Sequence, residues 1–133
     1  MRTRASKLAL LAALLLLLAT VGTASAADQN WTKKSFDVKG SWSIVEEGGK
    51  SWIVLDDSFA TKKAPDLKLF LSKKSGAELN GKNAADGVLV AKLDSHKGGQ
   101  RYAIPATVDL SQYSTLALHC EKYSKLWAVS QLP

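Results

Sequence analysis

The chain has 133 residues, with 18 Lys and Arg against 12 Asp and Glu, giving a formal net charge of +6. A single cysteine, Cys120, excludes a disulfide framework within the chain. The basic excess is concentrated at the start. Without residues 1–26 the count is 15 basic against 12 acidic, a charge of +3, and the remaining lysine pairs (Lys33-Lys34, Lys62-Lys63, Lys73-Lys74) form no stripe interleaved with aromatics. Nucleic-acid binding is therefore not expected.

Residues 1–26 have the three parts of a secretory signal. Arg2, Arg4 and Lys7 are basic, Leu8–Leu18 is an unbroken apolar run, and Ala24-Ser25-Ala26 is the small-x-small pattern of a cleavage site. Eleven apolar residues fall short of the ~20 that span a bilayer as a helix. Cleavage is expected after Ala26, and with it export to the periplasm or the extracellular space. No later segment is apolar and long enough for a second membrane crossing. The mature chain, 107 residues from Ala27 to Pro133, suits one domain.

Residues 27–35 are polar and unpatterned, which predicts a flexible lead-in. From Phe36 the chain reads as short strands separated by turns. Trp42 and Ile44 alternate with serines, Glu47-Gly48-Gly49-Lys50 turns the chain, and Ser51–Leu55 returns, a predicted hairpin. Asp56-Asp57 precedes Phe59, and Ala64-Pro65-Asp66 breaks the chain before a strand. There Leu67, Leu69 and Leu71 point one way, Lys68 and Phe70 the other. Asn80-Gly81 marks a turn, Val88–Leu93 a strand, His96–Gly99 a loop and Arg101–Ile104 an extended run. Val108–Ser111 predicts a bend or a single helical turn. Leu116–Cys120 and Leu126–Val129 are the last two strands. No segment holds a helical period for ten residues. Seven or eight short strands indicate an all-β domain over residues 36–133, a small β-sandwich or jelly-roll-like barrel.

Three sets of residues are candidates for chemistry. Cys120 is a buried small hydrophobe, an intermolecular disulfide partner or a reactive thiol. His119, Lys122 and Lys125 would favour its thiolate and Glu121 would oppose it. On an extended strand His119 and Cys120 project to opposite faces, so they cannot share a metal ion. His96 is the only other histidine, which leaves too few soft ligands for a metal site. Asp56, Asp57 and Asp66 form a candidate ligand loop. Turn capping is the favoured reading over calcium, because the carboxylates are few and follow no calcium-loop spacing. No hydrolase or transferase motif is present, which points to a redox accessory or binding domain rather than an enzyme. Nothing in the residues specifies a cofactor.

The order of three motifs resembles the DM-thirteen domain family, which is labelled electron transfer. The first is Asp56-Asp57-Ser58-Phe59, then Ala64-Pro65-Asp66-Leu67 and Phe70-Leu71-Ser72. The second runs from Gly99-Gln100-Arg101-Tyr102-Ala103-Ile104-Pro105 through Val108–Tyr113 to Leu118-His119-Cys120-Glu121-Lys122-Tyr123. Gly40-Ser41-Trp42-Ser43-Ile44 fits the family's opening. The resemblance covers about residues 36–132. It implies a small β-sandwich, occurring alone in bacterial exported proteins and beside haem-binding DOMON domains in animal ones. It also implies that the family's single characteristic cysteine, its proposed redox-active residue, falls at Cys120. Many relatives carry Trp before that cysteine, where this chain has His119. The expected function is thus a redox or electron-transfer role centred on Cys120, with a redox partner protein. The alternative is a non-catalytic module binding a small ligand, an ion or a partner protein at the cell envelope.

Overall fold

The hairpin predicted from the Trp42/Ile44 alternation organises one of two packed sheets. In the computed structural model, which describes residues 24, 25 and 27–133, the strands follow in order. They are β1 (Ala24–Ser25), β2 (Gln29–Asn30), β3 (Thr32–Lys33), β4 (Val38–Lys39), β5 (Ser41–Glu47) and β6 (Lys50–Leu55), then β7 (Ala60–Thr61), β8 (Leu67–Ser72), β9 (Val88–Lys92), β10 (Gln100–Ala103), β11 (Thr115–Cys120) and β12 (Lys125–Gln131). Helix is confined among the described residues to single 3₁₀ turns at Ala84–Asp86 and Leu110–Gln112. The predicted signal segment, apart from Ala24 and Ser25, lies outside the described residues.

The first sheet runs β1-β5-β6-β10, with β2 on the same edge of β5 as β1. The second runs β3-β12-β11-β8-β9, and β4 with β7 makes a two-stranded ribbon. Every pairing is antiparallel. Gly48 and Gly49 join β5 to β6 at φ +64° and +76°. Two consecutive left-handed residues are what a tight hairpin turn matching strand twist requires, and glycine takes them without a Cβ penalty.

Alternation along each strand fills the space between the sheets. Trp42, Ile44, Ile53 and Leu55 from the first sheet meet Leu67, Leu69, Leu71, Leu116 and Leu118 from the second, all buried. Each such side chain contributes roughly 1.5–3 kcal/mol by leaving water. A polar link crosses this core: the Trp42 indole N–H donates to Ser130 Oγ at 2.8 Å, and Ser130 Oγ donates to the Asn30 carbonyl at 2.6 Å.

That last bond explains why residues 27–35 are not the predicted flexible lead-in. The segment crosses from one sheet to the other: β2 pairs with Ser41–Trp42, and β3 pairs with Ala128–Val129. Between them Trp31 packs against Trp42 at a centroid separation of 6.3 Å. Cover for Trp31 and backbone pairing on both sides outweigh the polar composition of the segment.

The second sheet also buries its outer face. Residues 73–87, between β8 and β9, fold back over Phe70, Ala117, Leu126 and Val129, contributing Leu79 and Ala84. Asn80 holds this excursion in shape by accepting the N–H groups of Lys82 and Asn83. The sheet bearing Cys120 is therefore covered on both sides.

Candidate functional site

Strand β11 reads Thr-Leu-Ala-Leu-His-Cys, and its period of two decides what each side chain meets. Leu116, Leu118 and Cys120 enter the core between the sheets, while Ala117 belongs to the outer cluster. Cys120 has 0% exposure and forms no disulfide. It stands at the end of β11, with Leu67 of β8 on one side and Lys125 of β12 on the other. The chain leaves it through a turn at residues 121–124, closed by the Ser124 N–H on the Glu121 carbonyl at 3.0 Å.

His119 lies on the other face, its ring edge-on to Phe70 at 5.9 Å between centroids. It is 1% exposed and its Nδ1 has no hydrogen-bond partner. Burial pushes its pKa below the ordinary 6.5, against the opposing pull of the Glu121 and Asp66 carboxylates. With its ring on the face of β11 opposite Cys120, His119 is not placed to activate the thiol.

The three candidate aspartates have separate duties. Asp56 Oδ2 accepts the Ser41 N–H and hydroxyl at 3.1 and 2.9 Å, and its Oδ1 accepts those of Ser58 at 3.1 and 2.7 Å. The Ser58 hydroxyl leads in holding this carboxyl below its usual range, with burial opposing. The carboxylate is fully occupied as a turn cap. Asp57 lies against Gly99, where an added Cβ would sit 2.3 Å from its Oδ1. Asp66 belongs to the end of the second sheet, with Lys68 Nζ at 3.4 Å and Lys92 Nζ at 3.7 Å. Among the described residues no three His, Cys, Asp or Glu side chains come together to hold a metal ion. His96 sits in the loop before β10, where its carbonyl accepts the Thr61 N–H at 2.9 Å.

Asp66 instead joins a network beside the Cys120 turn. Its carbonyl accepts the Glu121 N–H at 3.2 Å, and Lys68 Nζ reaches Glu121 Oε1 at 2.5 Å. The Glu121 hydrogen bond is the main cause that raises the pKa of Lys68. Sequence reading assigned Asp66 to the wrong company and overlooked Lys68. The available signal was the outward position of Lys68 on β8, directly across from His119.

This arrangement is a lone thiol buried in a β-sandwich, at the last position of the strand that the 121–124 turn follows. The chain matches the family model described as electron transfer DM13 over residues 30–131. It belongs to the electron transfer DM13 family. The match begins at Asn30, so it takes in β3 and most of the segment that crosses between the sheets. In this DM13 domain Cys120 lies inside the matched region, at the last position of β11. Comparison with curated proteins and with solved structures found no match.

Proposed function

We propose that this electron transfer domain works outside the cytoplasm, exchanging electrons with a partner protein through Cys120. The observation that carries the reading is the position of the chain's only cysteine within the matched family region, directly before the 121–124 turn. The signal-like sequence over residues 1–26 supports export. An unpaired thiol is uncommon in an oxidising compartment and must there be hidden or used.

Cys120 loses its proton to solvent as the turn opens, and its thiolate attacks a disulfide of the partner. One S–S bond forms between the proteins as the partner's own S–S bond breaks, and its second sulfur leaves as thiolate. A third thiol then attacks the partner's sulfur in the mixed disulfide: an S–S bond to that thiol forms as the bond to Cys120 breaks, Cys120 leaves as thiolate, and the thiol is oxidised while the partner's freed sulfur stays reduced. A lone cysteine cannot complete the exchange within its own chain, so the partner is part of the mechanism.

Because Cys120 is fully buried, its reactivity reports directly on this reading. Thiol-reagent titration in native buffer should show reaction faster than global unfolding permits, by local opening of the 121–124 turn. Reaction only in denaturant would make Cys120 inert packing and end the proposal.

The complete burial of Cys120 favours a second reading, a non-catalytic binding module for a small ligand, an ion or a partner at the cell envelope. Replacing Cys120 with Ala and with Ser in the host separates the two. Loss of a redox phenotype in both variants supports electron exchange, and unchanged behaviour supports binding. The absorbance spectrum of protein isolated from its host adds an independent reading, since a Soret or charge-transfer band would reveal a bound cofactor.

A further inference from the structure

Tyr113 is the wall shared by two clefts at the end of the second sheet remote from Cys120. The larger, about 700 Å³, opens between β3, the end of β12 and the loop at Ser75–Ala77. The smaller, about 290 Å³, lies along Lys73, Lys74 and Asn83. A volume near 700 Å³ falls within the ~300–1,000 Å³ of small-molecule sites. Thr115 marks this end of β11 and Cys120 the other, so at ~3.4 Å per residue the cleft is about 17 Å from the thiol.

The cleft is built before any ligand arrives. Thr115 Oγ1 donates to the Lys74 carbonyl at 2.7 Å, the Ser114 N–H to the Ser72 carbonyl at 2.9 Å, and the Leu132 N–H to the Ser114 carbonyl at 3.0 Å. These bonds lock the segment bearing Tyr113 to the ends of β8 and β12. Val129 and Leu132 supply apolar lining, and Lys34 supplies a cation. Lys73 in the adjoining cleft holds Nζ 5.5 Å from the Tyr113 ring centroid. Among the described residues Lys34, Lys73 and Lys74 form no salt bridge. The nearby Glu78 is turned to its own loop, accepting the Ser75 N–H and hydroxyl at 3.0 and 2.9 Å. The region combines a flat aromatic wall, apolar lining and the cations Lys34 and Lys73, while Lys74 acts on Glu78 and Asp86 lies in the adjoining cleft.

We propose that the larger cleft binds a planar aromatic anion, with its ring against Tyr113 and the apolar lining and its acidic group at Lys34. The aromatic wall and apolar lining select a flat apolar body, and the lysines select negative charge. The site stands independently of the redox reading of Cys120.

Naphthalene-2-sulfonate is a suitable probe, with 2-naphthalenemethanol as its neutral counterpart, read by backbone amide shifts of the purified protein. Saturable shifts centred on Gly76, Tyr113, Thr115 and Val129 are expected, with weaker binding of the neutral compound. Lys34→Gln should weaken sulfonate binding about threefold to tenfold, a small electrostatic effect at an exposed position. Ala77→Phe, at an exposed position on the cleft wall, should block the cleft and abolish the saturable shifts while leaving the rest of the spectrum folded. Shifts centred elsewhere, equal affinity for the neutral compound, or full affinity in both variants would each overturn the proposal.

Discussion

Trp42 and Ser130 stand in opposite sheets, and the indole N–H of one donates to the hydroxyl of the other at 2.8 Å inside the core. The same hydroxyl donates to the Asn30 carbonyl, so one serine ties both sheets to the crossing segment. Ser130→Ala would leave the buried indole N–H of Trp42 and the Asn30 carbonyl without this partner. The expected loss is about 1–3 kcal/mol, read as a lower urea midpoint with an unchanged slope.

Gly81 meets the turn below Cys120 directly. A Cβ at this position would lie 2.1 Å from the Ser124 carbonyl oxygen, a backbone atom that cannot swing aside. Gly81→Ala should therefore destabilise the protein by about 1–3 kcal/mol. It should also accelerate native-state reaction of Cys120 with a thiol reagent, because the 121–124 turn must move to accept the methyl group. Faster unfolding with unchanged native-state thiol reactivity would show that this turn does not control access.

The Lys68–Glu121 contact predicts a different balance. The Lys68 and Glu121 side chains are 20% and 46% exposed, so solvent screening leaves the pair little net stability. Glu121→Gln should change the urea midpoint little. If the pair helps pin the turn, Cys120 should nevertheless react several-fold faster in the native protein. Comparing alkylation rates at matched stability tests this.

His119 predicts a loss of stability in mild acid. Its folded pKa lies below 6.5 because burial disfavours the imidazolium. The unfolded chain therefore binds more protons as pH falls through 6.5, and stability declines until the folded pKa is reached. Above that window the contribution is constant. Asp56, Glu78 and Asp109 have lowered pKa values, so the stability they contribute is lost at lower pH, through the carboxylate range. Urea midpoints at pH 7.5 and 5.5 should differ in the native protein and differ less in His119→Phe.

Cys120 itself needs a paired test. Ser at this fully buried position would place a hydroxyl in an apolar core at a cost of about 1–3 kcal/mol, whereas Ala removes the sulfur without adding a polar group. A phenotype in Cys120→Ser alone would report folding. Loss in both variants at comparable abundance, measured by immunoblot, would report the thiol.

The sequence by itself determined the faces of the strands. Leu67, Leu69 and Leu71 point inward while Phe70 packs outward, and Cys120 and His119 divide in the same way, because a strand's period of two is a local property. It also determined the hairpin at Gly48-Gly49, since a tight turn is written in adjacent residues. Only the tertiary structure decided which strands became neighbours and what covered them. It placed residues 29–33 across two sheets, moved Asp66 into company with Lys68 and Glu121, and laid residues 73–87 over the outer face. Each of these rests on contacts between residues far apart in the chain, and such contacts leave no periodic trace in the segments that make them. Burial of Cys120 combines both levels: its inward direction follows from β11 alone, and its complete closure follows from the core packed between the two sheets.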